Sequence, residues 1–124
     1  MEMYNQIYLS YCKEDMLPYA YAYLGKYFPG TNGWQLHYKQ SNEVVSPDFI
    51  IERQYKKGIQ RAIINVISSD KVTRTDIRNL NSYAEILHGK ECILEKFIIV
   101  CESCDISLIP KDIKIIYLKE LCEN

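Results

Sequence analysis

Between Arg61 and Ser68 the chain reads Arg-Ala-Ile-Ile-Asn-Val-Ile-Ser, an almost unbroken apolar run. A short run of this kind, rich in β-branched residues, has the character of a strand in the middle of a parallel sheet, covered on both faces. The rest of the chain must then supply neighbouring strands and the helices that cover them. Three further segments carry a similar signature: Trp34 to Lys39 (WQLHYK), Lys96 to Cys101 (KFIIVC) and Ile113 to Leu118 (IKIIYL). A shorter β-like run, Ile7 to Tyr11 (IYLSY), opens the chain.

Helical patterns separate these runs. After Cys12-Lys-Glu-Asp15, whose acids suit a helix N-terminus, Leu17, Ala20, Leu24 and Phe28 recur at helical spacing until Pro29-Gly30. Ser46-Pro47-Asp48 reads as a helix start, serine capping and proline at the first helical position, with Ile51, Tyr55, Ile59 and Ala62 on one face. Thr73 or Thr75 can cap a third helix, which has Ile77, Leu80, Ala84 and Leu87 as its apolar stripe and Gly89 as its end. An irregular segment, Glu102 to Asp112, joins the last two strands. Repeated strand–helix alternation predicts right-handed crossovers, a parallel sheet and helices on both faces.

The chain has 124 residues, 48% of them hydrophobic and 25% charged, which fits one domain over 1–124 that fills one core. A net charge of −1 argues against a general phosphate-backbone binder, so nucleic acid is not an expected partner. No run of about 20 apolar residues offers a membrane span, and no basic-then-apolar leader opens the sequence. The five cysteines are an odd number, and with no secretion signal they predict free thiols in a soluble cytoplasmic protein. His88, Cys92, Cys101 and Cys104 have the outline of a zinc site. The apolar strand filling the interval between the pairs argues instead for buried thiols, and no metal is expected.

These segments, in this order, resemble a TIR domain of the bacterial type. Ile7-Tyr-Leu-Ser-Tyr11 with Cys-Lys-Glu-Asp15 is similar to the first signature of that family. Pro47-Asp48 through Gly58-Ile59 to the strand ending at Ser68 is similar to the second, with Asp48 where the family has glycine. Cys104-Asp-Ile-Ser107, Ile109-Pro110 and the last strand are similar to its end. The resemblance implies a three-layer, flavodoxin-like α/β sandwich with a central five-stranded parallel sheet flanked by helices. It also implies association with itself or with other TIR domains, requiring no cofactor, through the loop 40–46 and the adjoining helix.

Enzymatic members of that family cleave the nicotinamide–ribose bond of NAD+, using a carboxylate to stabilise an oxocarbenium-like transition state. The family position of that carboxylate holds Leu80 here. Glu85 and Asp76 are the neighbouring candidates, with Ser10, Tyr11 and Lys13 lining the dinucleotide. Glu85 also reads simply as a solvated helix residue, since it points away from the apolar stripe.

A second reading takes Asp48 to Ser68 as a β-hairpin turning at Lys56-Lys57-Gly58, as in a restriction-endonuclease-like fold. That fold pairs an aspartate such as Asp48 with a Glu-x-Lys triplet on the next strand to hold Mg2+. Asn65-Val66-Ile67 stands where the triplet belongs, so metal-dependent cleavage would fail. Helix or hairpin between Asp48 and Gln60 separates the two readings.

Overall fold

The computed structural model describes residues 13–38, 47–89 and 91–118. In chain order they form helix α1 (Lys13–Tyr27), a 3-10 turn (Gly30–Asn32), strands β1 (Gln35–Tyr38), β2 (Phe49–Tyr55) and β3 (Gly58–Val66), helix α2 (Arg74–Leu87), and strands β4 (Cys92–Val100) and β5 (Ile113–Tyr117).

The five strands make one sheet in the order β1-β2-β3-β4-β5. The first three form an antiparallel meander, while β3, β4 and β5 run parallel to one another. The sheet is therefore mixed, which corrects the expectation of a parallel sheet throughout. Its five strands are also not the five read from the sequence. The segment after Asp48 joins as β2, and the expected strand 7–11 lies outside the described residues.

The hairpin is where the helical reading failed, and the burial explains why. A helix would bury Ile51, Tyr55 and Ile59 together, yet Tyr55 and Ile59 are each 38% exposed while Phe49 and Ile51 are fully buried. Period two wins at the start of the segment because Phe49 and Ile51 stand opposite Ile64 and Ala62 on β3. The turn is only Lys56-Lys57, closed by the pair Tyr55–Gly58, and Lys56 takes a left-handed φ of 54°. It lacks the Asn-Gly or Gly-Gly pair that marks such turns in a sequence.

Alternate residues of the sheet feed two cores. On one face Met16, Ala20 and Leu24 of α1 pack against Phe49, Ile51, Ala62, Ile64, Val66, Phe97 and Ile99. On the other, Leu80 of α2 packs with Ile63, Ile67, Ile98, Val100 and Ile113. The two helices thus cover opposite faces, one helix to each among the described residues. The apolar stripes of both helices fall where the periodicity placed them. Thr73 caps α2 in a reciprocal capping box: its hydroxyl accepts from the Asp76 N–H at 3.2 Å, and the Asp76 carboxylate accepts from the Thr73 N–H at 2.8 Å.

The α2–β4 connection returns the chain so that β4 starts beside β3. Glu91 there has φ 55°, and its carbonyl accepts from the Ile59 N–H at 3.0 Å. A Cβ on Gly58 would lie 1.9 Å from that carbonyl oxygen, so only glycine fits where β3 begins.

Candidate functional site

In open α/β sheets, functional groups gather at the carboxyl ends of the parallel strands. Because β2 runs antiparallel to β3, its first residues lie beside the carboxyl end of β3. That brings Asp48 next to Asn65 and Val66, residues far apart in sequence. Asp48 is 4% exposed and Asn65 9% exposed, the buried polar residues of the described chain.

Each satisfies the other's strand end. The Asp48 N–H donates to Asn65 Oδ1 at 3.0 Å, and Asp48 Oδ2 accepts from the Val66 N–H at 2.8 Å. The two bonds stand in for ladder bonds where β2 enters the sheet, so the aspartate is first a structural clamp. It is also charged, and a buried carboxylate needs a counter-charge. Lys13, the first residue of α1, supplies it: its ammonium lies 2.8 Å from Asp48 Oδ2, the lysine side chain 43% exposed and the aspartate side chain 5%. A lysine at a helix N-terminus faces the unfavourable end of the helix dipole, and here the aspartate offsets that cost.

The residues expected to line a dinucleotide divide accordingly. Lys13 stands at the carboxyl edge but is engaged by Asp48. Ser10 and Tyr11 lie outside the described residues, as does the loop 40–46 proposed as a contact surface. Asp76 is held in the capping box. Its carboxylate also accepts from the Thr73 hydroxyl at 3.0 Å. Glu85 is exposed on the last turns of α2, at the rim of an open depression shared with Asn81, Ala84, His88, Leu94 and Lys96. Lys13 belongs to the helix on one face of the sheet, and Glu85 to the helix on the other. Asp76 opens α2 and Glu85 lies towards its other end, so of the two carboxylates only Asp76 shares the carboxyl edge with Lys13.

Other concavities lie at the far end of the hairpin from Asp48. One is lined by Gly33, Gln35, Glu52, Gln54 and Ile59. Its carboxylate is already engaged: Glu52 takes the Arg61 Nε at 2.9 Å and the His37 Nε2 at 3.3 Å. Arg61 also donates to the Leu87 carbonyl, tying the end of α2 to the sheet. The carboxyl edge therefore ranks above this cleft, whose one carboxylate is spent on the fold.

Cys92, Cys101 and Cys104 are in the reduced, thiol form. Burial, followed by the nearby charges of Asp105, Asp70 and Asp76, pushes the Cys104 thiol above its ordinary value, the opposite of what a nucleophile needs. Among the described residues no group of three His, Cys, Asp or Glu side chains can hold a metal ion. At the carboxyl edge in particular, positions 65 and 67 hold the neutral residues Asn65 and Ile67. The oxygen of Asn65 is occupied by the Asp48 N–H, and a lysine ammonium already neutralises Asp48. These residues do not fit a divalent cation.

The pairing of Asp48 with Asn65 follows from the hairpin reading of the sequence. The contact with Lys13 has no sequence signal, because it depends on where α1 docks. No family model matches this chain, and no protein of curated function or solved structure is significantly similar to it. Among the described residues no helix is long and apolar enough to cross a membrane.

Proposed function

We propose that this chain is a degenerate restriction-endonuclease-like domain, without metal-dependent nuclease activity, that serves as a non-catalytic module. The observation that carries the reading is the hairpin between Asp48 and Gln60, continued by α2 and the parallel strand β4. It aligns Asp48 with Asn65, the position at which the family's active members keep a metal-binding acid. The aspartate has kept its place and acquired a structural duty, bracing β2 against β3 through Val66. Loss of the acid at position 65 and of the lysine at position 67 removes both the second metal ligand and the group that would assist attack on a phosphodiester.

The same observation weighs against TIR-type association with NAD+ as substrate, since that reading expects a helix over this stretch. The experiment is a cleavage assay on single- and double-stranded DNA and on RNA with millimolar Mg2+ or Mn2+, beside an Asp48→Asn variant. No cleavage above the protein-free control is expected. Metal-dependent cleavage that disappears in Asp48→Asn would overturn the proposal. NAD+ consumption lost in Glu85→Ala or Asp76→Ala would replace it with the TIR reading.

A further inference from the structure

We infer that the chain pairs with a second copy of itself through the outer edge of β5, antiparallel and about a two-fold axis at Ile115. β5 pairs with β4 on one side, and among the described residues nothing pairs with it on the other. The ladder fixes which way its backbone groups point. The Leu118 N–H donates to the Val100 carbonyl at 2.9 Å, and in this parallel register Lys114 and Ile116 face β4 in the same way. The N–H and C=O groups of Ile115 and Tyr117, with the C=O of Ile113, therefore point away from the sheet. The Ile113 N–H is turned back to the Pro110 carbonyl at 3.2 Å.

Proteins usually blunt such an edge with a charge, a proline, a bulge or a very short strand. The outward row of β5 has none of these. Its five residues keep an unbroken register with β4, and Ile113, Ile115 and Tyr117 are uncharged. The one charge in the strand, Lys114, is drawn back over its own sheet. Its ammonium lies on the Glu95 carboxylate and 5.6 Å from the centroid of the Phe97 ring. β1, at the opposite edge, has only four residues.

The outward row is complementary to itself. In a pairing centred on Ile115, that residue stands opposite its equivalent, and Ile113 stands opposite Tyr117 of the second copy. Each Ile115 N–H meets the other Ile115 carbonyl, and each Tyr117 N–H meets an Ile113 carbonyl, so every outward donor finds an acceptor. Lys114 falls opposite Ile116, and like charges do not meet. A register centred on Lys114 would instead set the two ammoniums face to face. Ile115 and Tyr117, only partly buried against the α2-side core, gain cover from β-branched and aromatic neighbours across the join. The contact is about 17 Å long, at the low end of interface size, so the dimer is concentration-dependent and not permanent.

Sedimentation equilibrium of the full chain should give a weight-average mass rising from one chain towards two between about 10 μM and about 1 mM, the range of weak interfaces. Ile115→Pro removes an outward N–H and no bond to β4, a position where an edge strand accepts proline. It should stay monomeric throughout, with urea unfolding followed by Trp34 fluorescence showing that it folds. Tyr117→Lys puts a charge on the edge, should also stay monomeric, and answers the question if Ile115→Pro does not fold. Ile115→Cys should form a disulfide-linked dimer in oxidised glutathione, because opposed residues of a hydrogen-bonded pair have Cα atoms about 5.5 Å apart. Lys111→Cys, exposed and outside β5, should cross-link no more than wild type. A wild-type chain that remains monomeric up to about 1 mM would overturn the inference. So would a dimer that both edge variants leave intact, which would place the contact on another surface. Cross-linking no greater in Ile115→Cys than in Lys111→Cys would overturn it as well.

Discussion

Asp48→Ala removes the carboxylate that closes the top of the hairpin, and its cost can be worked from the contacts. The Val66 N–H loses its acceptor at 2.8 Å, and Val66 is 1% exposed, so water reaches that N–H poorly. An orphaned buried donor costs about 1–3 kcal/mol. Lys13 loses its partner too, but with 43% of its side chain exposed it is readily rehydrated, so that contribution is held to at most about 1 kcal/mol. The Asp48 N–H keeps its bond to Asn65, and the space vacated is small. The sum is about 1–4 kcal/mol, or roughly 4–16 °C in Tm for a chain between the size classes for which the scaling is known. Asp48→Asn keeps an acceptor for Val66 and loses only the charge, so it should cost about 1 kcal/mol. Urea unfolding followed by Trp34 fluorescence measures both, with unchanged m-values showing that the shifts are in stability. The reasoning is refuted if Asp48→Ala lies within about 0.5 kcal/mol of wild type, below the penalty for one orphaned donor, or if Asp48→Asn is the worse of the two.

Three other outcomes test separate parts of the structure. Gly58→Ala sets a methyl 1.9 Å from the Glu91 carbonyl oxygen, so the bond from the Ile59 N–H to that carbonyl must break or the chain must shift. It should cost about 2–3 kcal/mol by thermal or urea unfolding, after allowance for the reduced freedom of the unfolded chain. Thr73→Ala opens the capping box and should cost about 1 kcal/mol. Asp76→Ala should lose stability in the same experiment, as expected of a capping residue. The Cys104 thiol is raised above its ordinary value, chiefly by burial and then by Asp105, Asp70 and Asp76. Because its folded-state value lies above the unfolded one, the stability tied to the neutral thiol is complete below the ordinary value of 9.0 and declines as pH rises through the folded value. Cys104→Ala should flatten that alkaline decline in pH-dependent unfolding, and Cys104 should react with a thiol reagent more slowly than Cys92 or Cys101.

The residues by themselves determined where most elements lie. The stripes of α1 and α2, the threonine cap before Arg74, the central apolar strand through Ile63 and Ile64, and the strand from Ile113 are all legible, because each is a local pattern of burial or capping repeated over several residues. The segment from Asp48 to Gln60 was ambiguous for a physical reason. Its apolar residues satisfy a helical period and a strand period about equally, and Ser-Pro-Asp can open either element. Pairing with Ile64 and Ala62 across the hairpin decided it, and that contact does not exist until the chain folds. The direction of the sheet followed: a hairpin there makes the first three strands antiparallel, whatever the strands look like singly. The same step decided the site. The hairpin reading of the sequence already sets Asp48 against Asn65, whereas nothing in the linear sequence ties Lys13 to either of them. Only the docking of α1 over the carboxyl edge turns them into a buried carboxylate with a lysine for its cation, because charge neutralisation inside a fold depends on distance in space and not along the chain.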